Sequence, residues 1–86
     1  MTQAAIQAAI AAGLATIAPE ADASALAPDA NLRESLDIDS YDFLRFLIAL
    51  SEKLGVEIPE ADYAKLATLE SMTSYLANAL AQAGKP

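Results

Sequence analysis

Apolar side chains return at a helical step near the start of the chain. Ile6, Ile10, Leu14 and Ile17 recur every three or four residues in an Ala-rich run, Thr2 stands at a capping position and Pro19 closes the pattern. This predicts a helix over 2–17 with one narrow apolar stripe. The period is then lost over 18–38, where Pro19, Pro28, Asp29 and Asn31 punctuate a long loop. Leu26, Leu32 and Leu36 are spaced to anchor that loop on the core, and Asp22 to Leu26 can form a short turn. An unstructured loop of this length inside a compact domain points to function or to a short helix within it.

A second long helix is predicted over 39–54. Asp39 is a good N-cap, Asp42 lies in the first turn where the helix dipole favours acid, and Gly55 can supply a left-handed closing residue. Val56-Glu57-Ile58 reads as extended because Pro59 biases its predecessor away from helix. A short helix over 60–66 and a last long helix over 69–82 follow. The latter has Thr68 as cap, Leu69, Met72, Leu76 and Leu80 as its stripe and Gly84 beyond its end. No segment has the strand period and none repeats. The expected fold is all-α: a small four-helix bundle of three longer helices and one short one, forming a single domain over 1–86.

On a helical wheel the 39–54 segment divides into faces. Phe43, Leu44, Phe46, Leu47, Leu50 and Leu54 share the core arc, while Asp42, Arg45, Ala49 and Glu52 share the wet arc. Tyr41 and Ile48 fall outside the core arc, beside Arg45, so two large apolar side chains are aimed near solvent. Single exposed apolar residues are ordinary. Two of them on the N-terminal half of a helix fed by an acidic loop suggest a partner-contact face made of Tyr41, Asp42, Arg45, Ile48 and Glu52. Ser40 lies in the core arc at the open end of the bundle.

Composition removes most chemistry. The 86 residues contain no Cys, His or Trp, which excludes disulfides, thiolate nucleophiles, thiolate or imidazole metal sites and Ser/His/Asp triads. A chain of this size buries only about 60–65% of its unfolded surface, so its core must be efficient. Apolar residues make up 55%, and the 21 alanines favour folded helix over disorder. Twelve acids against five bases leave a net charge of −7, which argues against nucleic-acid binding. The charge is uneven: residues 1–19 carry no ionisable side chain, and residues 20–42 hold seven acids against Arg33 alone. That block reads as a solvated acidic loop or as an electrostatic address for basic partners. The N-terminal run lacks a basic region and is too short and weakly apolar to span a bilayer, so the expected compartment is the cytoplasm and no membrane insertion is expected.

Three motifs bear on chemistry. Counting a calcium loop from Asp37 places Tyr41 at the fifth position, Asp42 at the sixth and Ile48 at the twelfth, where an oxygen ligand, Gly and Glu are required; no metal site is expected. Paired carboxylates abound, but a catalytic acid/base pair needs a pocket between two walls, for which a thin bundle offers little room. Asp39-Ser40 remains. A serine opening a helix is often no more than a capping alternative, yet a phosphate ester there would meet unpaired backbone N–H groups and the positive end of the helix dipole.

Leu36-Asp37-Ile38-Asp39-Ser40-Tyr41-Asp42-Phe43-Leu44 and the helix that follows resemble the acyl carrier protein family. The likeness continues through Leu54-Gly55-Val56-Glu57-Ile58-Pro59 and Leu66-Ala67-Thr68-Leu69 to Tyr75-Leu76, roughly residues 26–80. The resemblance implies a non-catalytic, freestanding and monomeric carrier in fatty-acid, polyketide or related specialised biosynthesis. It implies that Ser40 bears a 4'-phosphopantetheine arm holding acyl groups as thioesters, with Asp39 as the adjacent cap. The missing cysteine then belongs to the cofactor. Implied partners are a phosphopantetheinyl transferase, which uses coenzyme A and magnesium, and acyl-transferring and elongating enzymes. An acyl chain could shelter in a space lined by Leu44, Leu47, Leu50 and Leu66. The family commonly has Gly where Asp37 stands, Leu or Met where Tyr41 stands and an acid where Arg45 stands. Arg45 therefore reads either as a changed partner set or as a local pair with Asp42 three residues back. Alternatives are a peptidyl or aryl carrier, suggested by Tyr41 and Arg45, and a cofactor-free acidic helical interaction module.

Overall fold

The computed structural model describes residues 2–19 and 26–84. Among the described residues four α-helices and one 3-10 segment follow in order: α1 (Gln3–Ile17), α2 (Leu32–Leu36), α3 (Ser40–Leu54), the 3-10 segment (Glu60–Leu66) and α4 (Leu69–Gln82). The described residues contain no β-strand, only an isolated antiparallel bridge between Asn31 and Thr68. The architecture is an all-α bundle in which α1 packs on both α3 and α4, and α4 packs on the 3-10 segment.

Each helix begins where a side chain takes over an orphan backbone N–H. The Thr2 hydroxyl accepts from the Ala5 N–H, Asn31 Oδ1 from the Glu34 N–H and Asp39 Oδ1 from the Asp42 N–H. At α4, Thr68 and Ser71 form a reciprocal capping box. Two helices end alike. Asp37 (φ 53°) closes α2 and Gly55 (φ 69°) closes α3, and in each case the next N–H reaches back to the carbonyl five residues before it. Left-handed backbone costs an L-residue roughly 1–2 kcal/mol, a cost that glycine avoids and asparagine or aspartate best tolerates.

The core joins Ile6, Ile10 and Leu14 of α1 to Phe43, Phe46, Leu47, Leu50 and Leu54 of α3 and to Met72, Leu76 and Leu80 of α4. Ile17, expected to complete the α1 stripe, is only partly buried. Gly13 permits a close approach of α1 to α3: a Cβ there would lie 2.6 Å from Cε1 of Phe46.

The loop between the two long helices contains a helix that the apolar period does not reveal. The expected turn over Asp22–Leu26 lies, apart from Leu26, outside the described residues; the helix found is α2. Five residues are too few to display a period, and long-range contacts hold this helix in place. Leu32 is fully buried, its N–H donates to the Ala67 carbonyl at 2.8 Å, and the Glu70 N–H donates to the Pro28 carbonyl at 2.8 Å. The loop thus satisfies a first-turn donor of α4 while α4's approach segment holds α2. Leu26 and Leu36 pack against the same core.

Candidate functional site

Ser40 is the first residue of α3 and is exposed, immediately after its cap. Asp39, also exposed, accepts from the Asp42 N–H at 2.8 Å, which fixes the entry of the chain into the helix. Successive turns of α3 carry Ser40, Phe43, Leu44 and Leu47 along one side of a cavity of about 260 Å³. At a rise of about 1.5 Å per residue that wall runs roughly 10 Å from the serine. Tyr63, Ala64 and Ala67 form the facing wall, and Asn31 and Arg33 reach in from α2 and its cap. The volume lies just below the span of about 300–1,000 Å³ usual for pockets that enclose small molecules.

The cavity differs from the space read from the sequence. Leu44 and Leu47 line it, whereas the buried Leu50 and Leu66 are core residues outside its lining. The 3-10 segment supplies Tyr63 and Ala64 in their stead because it makes three residues per turn, a spacing an α-helical wheel does not draw. Arg33 is a further cavity residue, and its one sequence signal is that it is the single base among the seven acids of residues 20–42.

A polar cluster pins that wall from behind. The Tyr75 hydroxyl of α4 donates to Asp62 Oδ2 at 2.6 Å, and Lys65 Nζ lies 3.2 Å from Asp62 Oδ1. The Tyr75 hydrogen bond, then that from Lys65, lowers the Asp62 carboxyl below its ordinary value. Partial burial, then the neighbouring carboxylate, pushes the Tyr75 phenol up to about 12.

On the outer face of α3, Tyr41 is 66% exposed and Ile48 46% exposed. Arg45 and Glu52 are exposed and Asp42 is half-buried, so these five side chains share one accessible face. The expected Arg45–Asp42 pair is not formed: among the described residues the only ion pair is Lys65–Asp62. Arg45 instead lies over the Tyr41 ring, 5.9 Å from its centroid. Both Arg45 and Asp42 border a second cavity, of about 350 Å³, between α1 and α3, separate from the one beside Ser40.

A family model described as a phosphopantetheine attachment site matches residues 8–76. The chain belongs to the acyl carrier protein family. Similar relatives include the acyl carrier proteins of Rubrobacter xylanophilus, 36% identical over 64% of this chain and 68% of the relative, and of Thermosynechococcus vestitus, 35% identical over 70% and 74%. That of Campylobacter jejuni subsp. jejuni serotype O:23/36 is 39% identical over 66% of this chain and 74% of the relative. The carrier is thus a phosphopantetheine-bearing protein, and its family works with a transferase and with biosynthetic enzymes. The residues present fit that group: an exposed hydroxyl opens a 15-residue helix beside a mostly apolar cavity with an arginine among its lining residues. No described helix is long and apolar enough to cross a membrane.

Proposed function

We propose that this chain is one carrier domain over residues 1–86 and that Ser40 bears the 4'-phosphopantetheine arm. The observation that carries the proposal is an exposed hydroxyl at the head of α3, fixed by the Asp39 cap and bordering a cavity of about 260 Å³. When attached, the arm supplies a thiol that holds acyl groups as thioesters. The chain's own residues do the rest. Ser40 Oγ gives up its proton and takes the phosphopantetheinyl phosphorus, leaving the nucleotide half of coenzyme A as the other product. Asp39 orients the first turn, and Phe43, Leu44, Leu47 and Tyr63 shield apolar cargo from water.

The carrier is non-catalytic, monomeric and cytoplasmic, and serves fatty-acid, polyketide or related specialised biosynthesis. Its partners are a phosphopantetheinyl transferase and acyl-transferring and elongating enzymes, with no nucleic acid. They meet it on Tyr41, Asp42, Arg45, Ile48 and Glu52. Family membership favours a carrier over a cofactor-free interaction module. The Arg45 guanidinium stacked on Tyr41 favours a specialised partner set, such as that of a peptidyl or aryl carrier, as the second reading.

The test is incubation with coenzyme A, magnesium and a broad-specificity phosphopantetheinyl transferase, read by intact mass. The wild type gains one arm and Ser40→Ala none. An arm on Ser40→Ala, or no arm on the wild type with several transferases, refutes the assignment. Loading the armed protein with acyl, malonyl and aminoacyl donors separates the first reading from the second.

A further inference from the structure

Attachment of the arm places a phosphodiester, and so one more negative charge, at the head of α3. The surrounding segment, residues 29–51, is already acidic: Asp29, Glu34, Asp37, Asp39 and Asp42 stand against Arg33 and Arg45. The two bases are not equivalent. Arg45 lies over the Tyr41 ring and borders the cavity between α1 and α3. Arg33 borders the cavity that Ser40 borders, and it is the only charged residue in that lining. Although acids surround it in sequence, Arg33 forms no ion pair among the described residues. Its backbone carbonyl closes α2 by accepting the Asp37 and Ile38 N–H groups, while the side chain stands exposed. The main chain therefore fixes where Arg33 stands, and among the described residues the guanidinium has no ion-pair or hydrogen-bond partner.

We infer that Arg33 holds the phosphate of the arm on Ser40, supplying the counter-charge that the local carboxylates do not. The inference rests on the reading of Ser40 as the attachment residue. A guanidinium suits this because its planar fork offers two parallel N–H donors to a pair of phosphate oxygens. A phosphodiester on Ser40 Oγ is tethered to the cavity whose lining includes Arg33 of α2 and its cap Asn31, whereas cargo at the arm's far end is not so constrained. Pairing there fixes the root of the arm and leaves the apolar lining to the acyl chain.

The experiment uses the full-length protein, unlabelled and with 15N-labelled arginine. Wild type, Arg33→Gln, Arg33→Lys and Ser40→Ala are treated with coenzyme A, magnesium and transferase, and intact mass establishes the loading. The 31P resonance of the phosphodiester is recorded at low salt and at about 1 M salt, where the screening length falls to about 3 Å. Exchange of the Arg33 Nε–H is followed in the apo and loaded forms. Arg33→Gln is expected to displace the resonance, Arg33→Lys to displace it less, and high salt to move the wild type toward Arg33→Gln. The Arg33 Nε–H is expected to exchange more slowly in the loaded form than in the apo form. A resonance identical in wild type and Arg33→Gln at low salt, with Nε–H exchange unchanged by loading, overturns the inference. A resonance and an Nε–H exchange rate that respond to Arg33 only after a carboxylate-bearing acyl group is added to the thiol overturn it too, by assigning Arg33 to the cargo. Failure of the wild type to load, or loading of Ser40→Ala, removes the Ser40 reading and this inference with it. Correct loading with an unmoved resonance and unchanged Nε–H exchange removes the inference alone.

Discussion

Replacing Gly13 by alanine sets two effects of known sign against each other. In an open helix the change is stabilising, because alanine is favoured over glycine by roughly 0.8–1.0 kcal/mol in a helix interior. At Gly13 the added methyl would meet the Phe46 ring, 2.6 Å from Cε1 and 2.9 Å from Cδ1. Real Cβ atoms do not sit that close, so either the ring or the α1–α3 spacing must yield. Phe46 is 2% exposed and has little room to turn. Overpacking of this kind costs about 1–3 kcal/mol. The net expectation is a loss of about 1 kcal/mol, a drop in melting temperature of about 4–8 °C for a domain of this size. Urea melts followed by circular dichroism measure it, and Phe46→Leu completes a double-mutant cycle. Shortening the ring makes room for the methyl, so the two changes together should cost less than their sum by at least about 0.5 kcal/mol. If Gly13→Ala is stabilising and strictly additive with Phe46→Leu, the two helices do not approach as described.

Other perturbations test the functional end and its supports. Asp39→Ala removes the cap on the Asp42 N–H and should cost about 1 kcal/mol in chemical denaturation, while slowing arm attachment by more than that loss explains. Tyr75→Phe tests the cluster behind the cavity. Because the folded phenol titrates at about 12 rather than 10.0, the wild type's extra stability is present below pH 10 and lost as pH rises through about 12; Tyr75→Phe should lack that alkaline component in paired denaturation curves. The lowered Asp62 carboxyl acts at the other limb: its contribution is present above its ordinary value of 3.8 and lost as pH falls through its folded value. Tyr41→Ala and Ile48→Ala, at exposed positions, should leave stability within about 0.5 kcal/mol of wild type and slow partner turnover in a coupled loading assay; unfolding of either would refute the face assigned to them.

Features set by neighbours in sequence were the legible ones. The Asp39 cap, the Gly55 stop and the exposure of Tyr41 and Ile48 follow from a 15-residue helix whose period the apolar residues declare. α2 was not legible as a helix, because its support is the burial of Leu32 and a hydrogen bond to Ala67, 35 positions along the chain. The cavity was read half correctly for a similar reason. Leu44 and Leu47 lie on the helix that the wheel describes, whereas Tyr63 and Ala64 face it from a segment with a different turn and Ala67 from the residue that caps it. For Arg45 the wheel offered two neighbours, Asp42 three residues back and Tyr41 four back, and the choice between carboxylate and ring is a matter of rotamer. Arg33 shows the limit most plainly: composition marks it as unusual, and only the cavity gives it a place.

The α1 helix carries no ionisable side chain along its 15 residues. Acid or alkali therefore has no handle on α1 itself, and the ionisable groups that border it, Asp42 and Arg45, belong to the rim of α3 and not to the buried core. The Tyr75–Asp62–Lys65 cluster joins two elements through groups that titrate. A change of acidity should thus be felt as a one-sided loosening, with the back wall of the acyl shelter yielding while the oily scaffold opposite holds its shape.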